Sequence, residues 1–146
     1  MANVSKEEEE LRKLSVEMRF LEQTAETLQQ RIGMVNAAMT DLAYASMTLE
    51  GMEAEKENAE LLVPIGGSSY IKVKLACFDK VVVGMGAGVS IEKTLPEAKA
   101  IVKERLEELE KTMRSAQQQF AQIAQRINAG RSRVESLLAT VREGTA

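Results

Sequence analysis

The chain of 146 residues has no histidine and no tryptophan, one cysteine, two prolines, two tyrosines and three phenylalanines. Each scarcity excludes something. Without histidine there is no side chain that titrates near neutrality to act as a general base, and Cys77 has no second cysteine with which to close an intramolecular disulfide. So few aromatics leave little bulky material for a large globular core, and one compact unit is the most that is expected. A net charge of −3 offers no broad attraction to phosphate backbones or anionic lipid, so neither nucleic acid nor membrane is an expected partner. No apolar run is long enough to span a bilayer, and Met1-Ala-Asn-Val-Ser-Lys-Glu-Glu lacks the apolar stretch of a secretory signal. The cytoplasm is the expected compartment.

What the chain does have is hydrophobic residues at heptad spacing. Hydrophobic residues make up 45% and charged ones 28%, which excludes a disordered polar chain and suits helices with solvated faces. From Leu11 the a positions are Leu11, Met18, Ala25, Ile32, Met39 and Ser46, and the d positions are Leu14, Leu21, Leu28, Val35, Leu42 and Leu49. Leucine-rich d positions are what coiled coils favour. Ser5 and Glu8 have capping-box spacing, and the acidic run Glu7 to Glu10 suits the positive end of the helix dipole. Beyond Leu49 the next a and d positions are Glu53 and Lys56, close to Gly51, so the seam stops there although the helix is expected to span 5–58.

A second array runs Val102, Leu106, Leu109, Met113, Ala116, Phe120, Ile123, Ile127, Gly130, Val134, Leu137 and Val141. Thr94 and Glu97 repeat the capping-box spacing, and Pro96 falls where a first helical turn tolerates a missing N–H, which predicts a helix over 95–142. The two arrays match in length. If Leu49 faces Lys99, then Leu11 faces Leu137, and each paired arm is about 58 Å long at 1.5 Å per residue. That register sets Gly130 against Met18 and brings the acidic start of the first helix to the end of the second, which carries Arg126, Arg131, Arg133 and Arg142. The arginines suit an acidic partner as well as the chain's own glutamates. A parallel pairing between two chains would use the same seam.

Between the arrays, over 61–93, the period changes from 3.5 to 2. Ile71, Val73, Leu75 and Cys77 lie on one face of an extended segment and Tyr70, Lys72, Lys74 and Ala76 on the other. Leu61–Ile65 reads as a short strand before it, with Pro64 at an edge or bulge, and Val81–Val83 pairs with Val89–Ile91 around Gly84–Gly88. Two consecutive hairpins are the simplest arrangement. Their free edges and apolar face exceed what a slender helix pair can cover, so the segment is expected to assemble with other subunits. The candidate assembly residues are Val63, Ile65, Ile71, Val73, Leu75, Val81, Val83, Val89 and Ile91.

The remaining chemistry-bearing residues read as structural. Gly84, Gly86 and Gly88 follow a valine run as in a nucleotide loop, but strand rather than helix follows them, so they form a turn. Cys77 alternates with Leu75 and reads as a small buried hydrophobe with no histidine to activate it. Glu7 to Glu10 and Glu107, Glu108 and Glu110 read as solvated helix faces rather than metal ligands or paired carboxylates. No catalytic, cofactor-binding or metal-ligating residue is assigned.

Leu62-Val-Pro-Ile-Gly-Gly-Ser-Ser-Tyr-Ile71 and Val81-Val-Val-Gly-Met-Gly-Ala-Gly-Val-Ser-Ile-Glu92, set between two matched heptad arrays, resemble the β region of alpha-type prefoldin subunits, most nearly the archaeal ones. The resemblance covers nearly the whole chain. It implies an α+β, mainly α fold: a long antiparallel two-helix coiled coil whose two central β-hairpins form part of an oligomeric β-barrel body. It further implies an ATP-independent chaperone of two alpha and four beta subunits, which captures unfolded proteins with its coiled-coil tips and delivers them to a group II chaperonin. Apolar groups at fraying helix ends suit such work, being accessible and singly weak. The tip candidates are Met1, Val4, Leu11, Leu14, Leu137, Leu138 and Val141, with Leu138 set beside the seam and therefore the most exposed expectation. A structural coiled-coil scaffold or filament-forming subunit uses the same seam and edges, and an enzyme is a distant third reading.

Overall fold

The computed structural model describes residues 5–55, 57–77 and 79–144. The elements run α1 (Lys6–Glu53), β1 (Glu60–Gly66), β2 (Ser69–Lys74), β3 (Lys80–Gly86), β4 (Val89–Thr94) and α2 (Leu95–Gly144). The fold is mainly α, with two small antiparallel hairpins between two long helices. Two compact units can be described: a terminal unit of Met1–Asn36 with Lys111–Ala146, and a central unit of Ala37–Glu110.

Both helices start as their first residues dictate. The Ser5 N–H donates to Glu8 Oε2 at 3.3 Å while the Glu8 N–H donates to Ser5 Oγ at 3.2 Å. Thr94 and Glu97 exchange the same pair of bonds, at 3.4 and 3.3 Å. Each box satisfies amides that the helix itself leaves unpaired. Thr94 is also the last residue of β4, so the second hairpin feeds α2 without a linker. Thr94→Ala is expected to lower the stability of the central unit by about 1 kcal/mol in urea denaturation followed by circular dichroism, with Thr94→Ser close to the parent.

The first helix ends at Glu53, five residues before the expected limit at 58. With Gly51 in the last turn and no apolar a or d residue beyond Leu49, nothing offsets helix fraying, and Asn58 takes a positive φ of 66°.

In the terminal unit the seam residues are those of the heptad reading. Met18, Leu21 and Ile127 form a buried cluster with Leu14, Ala25 and Ile123 against it. Leu28, Val35, Ala116 and Leu137 are also buried. The helices run antiparallel: Glu10 pairs with Arg133 and Glu17, one heptad on, pairs with Arg126, one heptad back. Gly130 is buried against Met18, and a Cβ at Gly130 would lie 2.2 Å from the Met18 Sδ.

In the central unit Leu49, Leu95, Ala98 and Val102 form the core, with Leu42, Ala45, Met52, Val81 and Val83 packed on it. Lys99 Nζ holds Glu53 Oε1 at 2.6 Å across the two helices. The hairpins are built alike, twenty residues apart: β1 and β2 pair from Glu60↔Lys74 to Gly66↔Ser69, and β3 and β4 from Lys80↔Thr94 to Gly86↔Val89. Each has a bulge two residues before its turn, between Pro64 and Gly66 and between Gly84 and Gly86. Gly66 and Gly86 stand there at φ of 101° and 100°, a region closed to most side chains. The turns, Gly67-Ser68 and Ala87-Gly88, have positive φ at both positions, the geometry that matches the twist of two-residue hairpins. Pro64 thus sits at the expected irregularity, and the glycines shape a turn.

Candidate interaction surfaces

Three places present chemistry to solvent: the end of the terminal unit, the two hairpins, and the Cys77–Asp79 bend. At the first, the Glu10 carboxylate accepts two bonds from one guanidinium, Arg133 Nε to Oε1 at 2.9 Å and Nη2 to Oε2 at 3.0 Å. Arg126 and Arg131 reach Glu17 and Glu22 at 3.2 and 3.7 Å. Of the two expectations for these arginines, the structure shows the intramolecular one. The hydrogen bonds from Arg133 hold the Glu10 carboxyl below its ordinary value, against a smaller desolvation effect, and raise the Arg133 value in turn. A depressed carboxylate pKa favours the pair above the ordinary glutamate range, and this contribution is lost as pH falls through the lowered value. Both side chains are about half exposed, where water weakens the attraction, so the pair serves mainly to fix register.

Among the tip candidates, Met1 and Val4 lie outside the described residues. Leu11, Leu14 and Val141 are half-buried. Leu137 is only 2% exposed and belongs to the seam, whereas its neighbour Leu138 is 38% exposed. One residue step is about 100° around a helix, which is why these adjacent leucines differ.

The hairpins differ from each other. Val81 and Val83, expected on an assembly face, pack instead on Leu49, Leu95, Ala98 and Val102. Arg105, which nothing in the strand pattern signals, donates from Nη2 to the Gly84 carbonyl at 2.7 Å and docks β3 on α2. The helices therefore do cover part of the β segment. The β1–β2 hairpin is more open: Leu62, Val63, Ile65 and Ile71 are exposed, and so is Tyr70 on the face read as polar. Val73 and Leu75 are half-buried. Val89 and Ile91 are exposed on β4, and Val82 is exposed on the side of β3 away from the core. Each sheet has two strands, so every strand also keeps one unpaired edge.

Cys77 is not the buried hydrophobe expected from alternation. Strand β2 ends at Lys74, and the thiol is exposed and donates to Asp79 Oδ1 at 2.8 Å. That bond, with one from the backbone, lowers the Asp79 pKa. Backbone pairing continues to Leu75, whose N–H donates to the Ala59 carbonyl at 2.8 Å, and then turns away. Among the described residues no group of three or more His, Cys, Asp or Glu side chains is placed to hold a metal ion, and no helix is long and apolar enough to cross a membrane.

Comparison with known proteins gives one answer throughout. A family model described as prefoldin subunit matches residues 21–140. Prefoldin subunit alpha of Methanococcoides burtonii is 36% identical over 120 residues, spanning 82% of this chain and 87% of that one. The subunit alpha of Methanosarcina mazei is 34% identical over 100% of both chains. Among solved structures, the filamentous PFD from Methanocaldococcus jannaschii matches with a TM-score of 0.65 at 26% identity, over 76% of this chain and 92% of that one. The prefoldin beta subunit from Thermococcus strain KS-1 matches with a TM-score of 0.59 over 93% of this chain and 96% of that one, a likeness of fold alone at 15% identity.

Proposed function

The chain belongs to the prefoldin family, and from that premise we propose that it is the alpha-type subunit of a cytoplasmic, ATP-independent holdase that captures unfolded proteins and passes them to a group II chaperonin. The observation that carries this is the state of the hairpins. Leu62, Ile65, Tyr70, Ile71, Val82 and Val89 stand in water on two sheets of two strands, too small to be stable as free surfaces. Strand pairing with neighbouring subunits covers such residues and edges together, and a hexamer of two alpha and four beta subunits closes them into a common body.

The helix ends then serve the client. Leu138 is accessible, singly weak and close to half-buried Val141, so one arm grips loosely and several arms grip well. The second reading is a filament: the Methanocaldococcus jannaschii structure is filamentous, and unpaired strand edges allow open as well as closed assembly.

Co-expression with a beta-type prefoldin chain, followed by the mass of the purified complex, separates these readings. A closed hexamer containing both chains is expected, whereas an open mass distribution favours the filament. Deleting residues 1–10 and 138–146 should leave that mass unchanged while suppression of client aggregation falls sharply. Full suppression by the truncated hexamer would refute the tip assignment.

A further inference from the structure

Within the terminal unit, α1 carries a second row of side chains that the seam does not use. Val16, Phe20, Gln23, Thr27, Gln30 and Met34 recur at steps of three and four, and all are exposed. Val16, Phe20 and Met34 are 71%, 66% and 75% exposed. A solvated helix face ordinarily carries charges, and this row has none from Val16 to Met34. It is also less polar than its composition. Thr27 Oγ1 donates to the Gln23 carbonyl at 3.1 Å, and the adjacent Thr24 Oγ1 donates to the Phe20 carbonyl at 3.0 Å. Both hydroxyl protons are thus taken by the helix's own backbone. A shallow groove lined by Phe20, Gln23, Thr24, Thr27 and Leu28 lies along the row.

The extent of the row selects its occupant. Val16, Phe20 and Met34 together present on the order of 400 Å² of apolar surface, interrupted by Gln and Thr, about half of what one side of a stable folded interface buries. A second copy of the chain or a permanent folded partner needs more. An extended polypeptide does not, and the fit in spacing is close. Val16 and Phe20 are separated by about 6 Å along the axis, and same-face side chains of an extended chain by about 7 Å. Met34 is unbranched and adapts to different side chains.

We propose that this row is a second, weaker contact site for extended apolar segments of non-native polypeptide, placed along the side of α1 and distinct from the helix ends. It rests on the holdase reading and extends it. A client held at Leu138 raises the effective concentration of its neighbouring segments at the row, so two weak sites on one unit act as a stronger one.

The test uses the complete complex with a beta-type prefoldin chain and, as probe, fluorescently labelled α-lactalbumin kept unfolded by reduction and carboxymethylation. Phe20→Glu with Met34→Glu places charge in the row without touching the seam. Binding should weaken by about tenfold with complex mass and helicity unchanged, and Phe20→Leu with Met34→Leu should bind like the parent. Unchanged binding by the Glu variant, alongside a loss in Leu138→Glu, would overturn the row and leave the holdase reading standing. No binding by the parent complex would overturn both. A lower complex mass in the Glu variant would make the row an interface between subunits and overturn the proposal as well.

Discussion

Truncating Leu21 to alanine should lower the stability of the terminal unit by about 3 kcal/mol, the range for leucine removed from a packed interior. Leu21 is 3% exposed and sits in a buried cluster with Met18 and Ile127, against which half-buried Leu14, Ala25 and Ile123 pack. In a globular core neighbouring side chains shift into part of a new cavity. A two-helix seam has a single layer, and the helix backbones on either side hold their spacing, so the gap stays open or admits water. Thermal unfolding at 222 nm should show the loss, and amide exchange should place it in 5–36 and 111–144. A change below about 0.5 kcal/mol, the size seen at ordinary surface sites, would mean that the seam is not the unit's core.

The opposite change nearby should be nearly as damaging. Gly130→Ile puts a stiff, branched side chain where a Cβ alone would stand 2.2 Å from the Met18 Sδ. Overpacking of this kind costs roughly 1–3 kcal/mol, and the gain in helix propensity over glycine, about 0.5 kcal/mol, offsets little of it. Exchanging the partners tests the cause. Met18→Ala with Gly130→Met returns similar volume to the same layer and relieves the glycine of its backbone entropy, so the double variant should match or exceed the parent in thermal unfolding. Failure of the exchange, with Gly130→Ile as damaging as expected, would place the cost in the backbone of α2 and not in the contact with Met18.

These two sites also show why so much of the chain was legible. Gly130 against Met18 followed from counting along two arrays, because a heptad repeat sets both which side chains face inward and, once antiparallel, which residue meets which. The capping boxes at Ser5 and Thr94 were legible for a similar reason: their partners lie three residues away. Leu138 beside the seam was legible from its angular position alone. The β segment was less so. Alternation placed Ile71 and Val73 on one face, but it could not say whether a face meets helix, solvent or another chain. Val81 and Val83 went to the helix core, Leu62 and Tyr70 stayed exposed, and Cys77 fell beyond the end of its strand.

The sequence by itself determined the elements, their caps, the seam register and the family, since each depends on spacing within a short stretch or on a repeat that can be counted. Only the tertiary structure decided that one hairpin is docked and the other is more open. That difference rests on Arg105 reaching the Gly84 carbonyl twenty-one residues away, and on Val81 and Val83 meeting leucines and alanine from both helices. Contacts between elements depend on the path of the chain between them, which no local period encodes. The unclaimed row on α1 was likewise visible only in three dimensions, where Val16, Phe20 and Met34 proved to be exposed and the threonine hydroxyls beside them turned back onto the helix.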